Sequence, residues 1–337
     1  MTIKNSRALN FTFPIFLALI SVLLSAQTSF GQAPQTRLVP EDYPSPEAAL
    51  AAANPGDIIL LGGNTDWFTN LTIDKPVTIG GRGGSRLLSV RGDQPIIQVR
   101  SEDVVIQDLE FIFGVVGVEG LAEATRLRIS NCTFEDLFGD AIRLTGCQEI
   151  TIIDVLTANN DGRGVFLNQV DGYLLERSRA TRNGGPGFEI VANNGLVTNC
   201  TAEFNQFSGF TIEGSDMAFT SNTVVSNAGI GVFFSNSQRF GFFGNQMVSN
   251  DRFGLLCVGV EGAFLVSNIA IGNSDIGFLF DDTRFTELTS NSALFNGGVG
   301  AYYSPSTSDN RLDEFNEFMG NFLDGAVDDG TNNSIAN

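Results

Sequence analysis

Apolar and polar residues alternate in short bursts along this chain, and from Asn131 to Asn321 the bursts return every 22 to 25 residues. Each unit holds an Asn, a short β-favouring stretch, a second Asn five or six residues on, and then a Gly four residues later, followed by apolar, any, apolar. The first Asn column reads Asn131, Asp154, Arg177, Asn199, Asn222, Asn245, Asn268, Asn291, Asn316. The second reads Asn160, Asn183, Asn205, Asn227, Asn250, Asn273, Asn296, Asn321, and the Gly column reads Gly164, Gly187, Gly209, Gly231, Gly254, Gly277, Gly300, Gly325. Positions +1 and +3 after the Gly are apolar in unit after unit, as in Ile142/Leu144, Val165/Leu167, Phe188/Ile190 and Phe210/Ile212. A strand's period of two then sends these inward and position +2 outward.

This period is too short for a βαβ unit, which needs about 30 residues. Leucine-rich repeats share the length, but the leucine scaffold is absent and no ten-residue helical stretch fits between the strands. The pattern predicts an all-β chain, a right-handed single-stranded parallel β-helix of about twelve stacked coils spanning residues 57–330. Aligned Asn side chains can hydrogen-bond from coil to coil, and Gly supplies either a positive φ or a close approach at each corner. A short Ala-rich capping helix is expected over residues 45–54, with Ser45 as N-cap and Pro46 in the first turn. The first strands are expected at Ile58 to Leu61, Leu71 to Ile73 and Val77 to Ile79, and residues 32–337 read as one β-helix domain.

The first 31 residues read as an export signal, because Lys4 and Arg7 precede an uncharged apolar run from Phe11 to Ala26 and small residues follow at Ser29 and Gly31. That run is shorter than the ~20 residues of a membrane-spanning helix. The expectation is a secreted or periplasmic protein with no membrane span.

Composition narrows the chemistry. A formal net charge of −19, more negative once Lys4 and Arg7 are removed, argues against nucleic acid as a partner. The chain has no histidine, and Lys75 is the only lysine beyond the export signal. Ser-His-Asp and Cys-His catalysis and His-ligated metals are therefore excluded, leaving Asp, Glu, Arg, Tyr, Cys and Lys75. Cys132 and Cys200 share a column three coils apart, roughly 14 Å, so all four cysteines are read as buried free thiols.

The runs Ser45-Pro46-Glu47-Ala48-Ala49-Leu50, Asn54-Pro55-Gly56-Asp57-Ile58-Ile59 and Leu71-Thr72-Ile73-Asp74-Lys75-Pro76-Val77-Thr78-Ile79-Gly80-Gly81 resemble the opening of right-handed parallel β-helix proteins of the pectate-lyase-like superfamily. The resemblance covers residues 43 to about 330 and implies the fold. It implies polysaccharide as the class of partner, in a superfamily that holds lyases, hydrolases, epimerases and proteins that bind without known activity. The polygalacturonases carry a Gly-His-Gly segment and the mannuronan epimerases a His-containing signature, and this chain has no His for either. Two readings remain: an exported protein that binds polysaccharide or serves a surface-structural role without catalysis, and, as the alternative that the resemblance implies, a Ca²⁺-dependent polyuronate lyase with carboxylate ligands and an arginine base.

Arginines gather in the first half: eleven lie between residues 82 and 182, against four from residue 200 onward, where sixteen acids stand. In the coils of residues 131–190 charged residues interrupt the repeat, and the candidate ligand-binding residues are Asp136, Asp140, Arg143, Asp161, Arg163, Arg182 and Glu189. Asp140 and Arg163 fall one coil apart in one column, and Arg143 and Glu189 share the outward +2 column. Two readings stay open for them. One is a ligand site, with Arg143, Arg163 and Asp140 as catalytic candidates and Ca²⁺ bridging a uronate; the other is a surface ladder of ion pairs, each worth about 0–1 kcal/mol. No dedicated metal site is expected. Further along, the outward column turns apolar at Phe233, Leu256, Leu279 and Tyr302, which reads as a sugar platform, a surface for weak self-association, or residues buried beneath a later segment.

Overall fold

A computed structural model describes residues 33–335. The export signal read over residues 1–31 lies outside the described residues. From Thr36 onward, strands of mostly three or four residues stack in parallel around a continuous apolar interior. Three strand files run along the stack. The first includes Ile97–Val99, Val118–Gly120, Ile142–Thr145, Leu255–Val258, Phe278–Asp281 and Ala301–Tyr303. The second includes Val105–Gln107, Arg128–Ser130 and Gln148–Ile153. The third is a separate twelve-stranded sheet from Thr65–Phe68 to Glu317–Met319. Between residues 165 and 243 the first two files fuse, because Val165–Glu176, Phe188–Thr198, Phe210–Thr220 and Val232–Phe243 each run through the corner as one strand.

The in/out alternation follows the repeat. Ile142, Leu144, Val165, Leu167, Phe188, Ile190, Phe210 and Ile212 are buried to within 1 %. Inside, aromatic rings stack along the axis one coil apart, with Phe188 over Phe210 at 4.6 Å and Phe280 over Tyr303 at 4.7 Å between centroids. The second Asn column forms a buried ladder. Each side-chain amide donates to the next Asn Oδ1, as from Asn227 to Asn250 and from Asn250 to Asn273, both 3.0 Å, and to a carbonyl of the preceding coil.

The first Asn column needs a correction, because it merges two structural positions. In the register, Thr198 pairs Thr220, so Asn199 lies level with Ser221, and Cys200 lies level with Asn222. Asn222, Asn245, Asn268, Asn291 and Asn316 form a second amide ladder, which meets Cys200 through its backbone N–H. Asn131, Asp154, Arg177 and Asn199 sit one residue earlier, exposed, at a left-handed corner with φ between 45° and 55°. Asn suits both places: its amide bridges coils, and its short polar side chain tolerates the left-handed backbone. The two positions are therefore indistinguishable by residue type alone.

The Gly column resolves the other way from a turn requirement. Gly231, Gly254 and Gly277 do not have positive φ; a Cβ on them would lie 2.5, 2.7 and 2.6 Å from the carbonyl oxygen of the next Gly in the column. The close approach of successive coils is what demands glycine. Gly231→Ala should cost about 3 kcal/mol by overpacking, whereas Gly262→Ala, where φ is +72° and the nearest atom is 3.9 Å away, should cost only about 1 kcal/mol of backbone strain. Urea melts of the two variants would check the order; equal losses would contradict it.

At the N-terminal end the helix is Pro46–Ala52, with Ser45 Oγ accepting the Ala48 N–H at 3.2 Å. Lys75 donates to the carbonyls of Leu50 and Ala53, both at 3.2 Å, so this lysine closes the helix C-terminus. Ala49 and Leu50 turn into the core. One strand has no counterpart in the sequence reading: Thr36–Val39 pairs with Ile58–Leu61, and its Arg37 is buried against Asp57, Nε to Oδ2 2.8 Å. At the other end, among the described residues, Glu317–Met319, Ala326–Asp328 and Ser334–Ile335 are paired on one side only, and Phe315, Met319, Phe322 and Leu323 are exposed. All four cysteines are buried free thiols. Burial pushes Cys132 and Cys200 up to about 12 and Cys147 to about 11, so they stay protonated and unreactive near neutral pH.

Candidate functional site

Register along the first file places one outward side chain per coil in a single row: Thr72, Gln98, Glu119, Arg143, Phe166, Glu189. The row continues without a break through Thr211, Phe233, Leu256, Leu279 and Tyr302. The charged cluster and the apolar stripe thus lie on one face, end to end.

Four of the seven expected ligand residues come together there. Asp140 is 4 % exposed and accepts from Arg143 Nε at 2.8 Å, from Arg163 Nε at 3.0 Å and Nη2 at 2.8 Å, and from the Arg163 backbone N–H at 2.9 Å. Arg163 also reaches Glu189 at 3.4 Å and lies 3.5 Å over the Phe166 ring, and Arg143 lies 3.9 Å from Glu119. Burial alone would raise Asp140, but the hydrogen bonds from Arg163 and Arg143 outweigh it and hold the carboxyl below its ordinary value. Burial alone would lower Arg163, and Asp140 with Glu189 overrides it, so its affinity for the proton is raised.

The other three stand apart. Asp136 is exposed at a left-handed corner with φ 53°, Asp161 is exposed on the next coil, and Arg182 lies 5.5 Å from the Phe204 ring. Among the described residues, no three carboxylates or cysteines converge on a point that could hold a metal ion.

Sequence reasoning stopped short of the N-terminal half of the row. There an open groove of about 500 Å³ is lined by Asn70, Thr72, Gln98, Arg100, Glu119 and Arg143. Gln98 donates to Glu119 Oε2 at 2.7 Å and accepts from Arg100 Nε at 2.8 Å. One wall is a loop pinned by Asn70, whose amide donates to Ser89 Oγ and the Pro95 carbonyl and accepts from the Val90 and Arg91 N–H groups. Counting the outward column back from Arg143 by one coil reaches Glu119, but the next two steps are 21 and 26 residues, outside the repeat period, so Gln98 and Thr72 are hidden from it, and the Asn70 clamp has no repeat signature to find.

Comparison with known proteins bears on the fold. The family model described as right handed beta helix region matches residues 96–246 and 197–337. No curated protein matches the chain by sequence. Among solved structures, the mannuronan C-5 epimerase AlgE6 A-module of Azotobacter vinelandii superposes with a TM-score of 0.62 at 16 % identity, covering 86 % of this chain and 93 % of that one. An alginate lyase from Paenibacillus sp. str. FPU-7 gives 0.57 at 16 % identity, over 69 % of this chain and 94 % of that one. The Dettilon tailspike protein gives 0.62 at 14 % identity, over 80 % of this chain and 62 % of that one. Parallel coils of about 23 residues, an inward apolar file and a family model that matches well over half of the chain together show that it belongs to the right-handed β-helix family.

Proposed function

We propose that this chain is an extracytoplasmic protein that binds an acidic polysaccharide along its first strand face, without cleaving it. The observation that carries the reading is the groove: Arg100, exposed, and Arg143, half-buried, stand with Asp93, Glu119 and amide and hydroxyl side chains, so the groove is charge-balanced on an otherwise strongly acidic molecule. Guanidinium groups suit carboxylates and the neighbouring amides suit sugar hydroxyls. Solved relatives in fold include an alginate lyase and a mannuronan epimerase, which supports a sugar chain as the partner. The apolar run at Phe11 to Ala26 supports export.

A Ca²⁺-assisted lyase fits the same geometry less well. Arg163 holds its proton more tightly than a free arginine, the reverse of what a base requires, and Asp140 is occupied by both arginines. Affinity gels with alginate, another polyuronate and a neutral glucan, run with and without Ca²⁺, test the proposal. The acidic polymers should be retained, and Arg100→Ala should weaken retention about five- to tenfold with the fold unchanged. Absorbance from unsaturated uronate would show a lyase instead, and retention of none of the polymers would overturn the reading.

A further inference from the structure

Six of the ten exposed phenylalanines among the described residues stand at one corner, where each coil leaves the third file for the first. Register carries one left-handed residue per coil along this corner, and Phe113, Phe204 and Phe295 hold it with φ of 52°, 54° and 55°. Each step from one of these rings to the next spans four coils, roughly 19 Å at ~4.8 Å per coil. Between them the same position holds Asp136, Asn159, Arg182, Ser226, Ser249 and Gly272, which are polar or lack a side chain. Each of the three has an exposed companion two or three positions further along the turn: Phe138 one coil on from Phe113, Phe207 in the coil of Phe204, and Phe322 one coil on from Phe295.

Folding does not account for these rings. A bulky side chain strains the left-handed backbone, which Asn, Ser or Gly adopts more easily. Exposures of 51 %, 48 % and 64 % at Phe113, Phe204 and Phe295 mean that burial returns little for that strain. Phe295 lies against the surface: a Cβ on Gly320, one coil on, would stand 2.4 Å from two of its ring carbons, so one face of the ring rests on bare backbone and the other is open. The occupant must touch three small apolar spots in a line and leave hydrated polar coils between them. A stable protein interface is instead a continuous patch of ~800 Å² per partner, and the exposed Asp136, Asp161 and Asp251 along the corner repel an anionic chain. An uncharged, extended, diequatorially linked pyranose chain meets both conditions, because it advances per sugar ring by close to one coil height and returns to a phenylalanine at every fourth ring. Pyranoses whose hydroxyls are all equatorial present C–H groups on both faces, and these pack flat on an aromatic face. We infer that this corner binds a neutral, cellulose-like β-glucan chain lying along the stack axis, by stacking on the three phenylalanine pairs. The site uses none of the groove's arginines, so it stands whether or not the groove takes an acidic chain.

Affinity electrophoresis in hydroxyethylcellulose, a soluble β-glucan, and in dextran, a flexible α-glucan, tests the inference. Hydroxyethylcellulose should retard the parent and dextran should not. Phe204→Asn combined with Phe207→Ser breaks the row at its centre and should weaken that retention about tenfold, the loss of two stacked rings. Alginate retention, which reports on the groove alone, and circular dichroism should be unchanged in the double variant. Phe204→Asn by itself should melt at or above the parent temperature, since Asn relieves the left-handed strain; a lower melting temperature would mean that the ring serves stability and overturns the inference. Absence of retardation by hydroxyethylcellulose, equal retardation by dextran, or retardation that survives the double substitution overturns it as well. Dimers in sedimentation, or co-sedimentation with phosphatidylcholine vesicles, lost in the double variant would assign the rings to another partner and overturn it too.

Discussion

Phe210→Asp should unfold the protein at room temperature, while its neighbour Thr211→Asp should change stability by less than about 1 kcal/mol. Phe210 is 1 % exposed, stacked on Phe188 at 4.6 Å and edge-on to Phe219 at 6.5 Å. A carboxylate there would lose the ring's packing and stand unpaired in an apolar interior, a cost above about 5 kcal/mol. Thr211 lies in the outward row between Glu189 and Phe233, open to solvent on one side. There a charge remains hydrated, and the proximity of Glu189 costs a few tenths of a kcal/mol. Urea melts followed by circular dichroism compare the two; losses of similar size would mean that the inward and outward files are misassigned.

The second large effect is expected at Asn250. Its carboxamide oxygen accepts from both the backbone and side-chain N–H of Asn227, at 3.1 and 3.0 Å, and its amide donates to the Val224 carbonyl and to Asn273. Asn250→Ala removes all four hydrogen bonds at a site with no solvent access, leaving buried donors on Asn227 unsatisfied. At about 1–3 kcal/mol for each unsatisfied group, the loss should be on the order of 4 kcal/mol. Asn131→Ala, at the exposed corner, removes a single 2.6 Å contact to Asp108 and should lose about 1 kcal/mol or less. A comparison of thermal midpoints separates a buried ladder from a corner asparagine, and similar shifts would contradict that distinction.

Asn131 and Asn222 show where sequence reading ends. The period of the coils, the inward files at Ile142 to Ile212, the helix at Pro46–Ala52 and the buried thiols follow from residue spacing, because stacking repeats one geometric requirement coil after coil. Register to a single residue does not follow, since Asn131 and Asn222 satisfy two different requirements with one side chain. Arg37 hid the first strand because a charge in an alternating stretch reads as exposed unless its partner Asp57 is known to face it. At the candidate site the spacing placed Asp140 beside Arg163, one coil apart in one column. It did not separate them from Asp136, Asp161 and Arg182, which are similar in charge and neighbouring in sequence but are exposed and form no ion pair with Asp140, Arg143, Arg163 or Glu189. The Asn70 clamp and the groove it walls depend on an irregular loop, which no period describes.

The two ends of the stack are unlike, with a helix docked at one and singly paired strands with exposed Phe315, Phe322 and Leu323 at the other. Under mechanical load this asymmetry gives the molecule a direction. Tension applied at the C-terminus meets a strand edge that can be peeled, each coil releasing about 23 residues or roughly 80 Å of extended chain before the next ladder rung takes the force. Tension applied at the N-terminus must first detach the docked helix and the buried Arg37–Asp57 pair. A force-extension trace should therefore show a sawtooth of near-equal teeth that starts at lower force from the C-terminal handle.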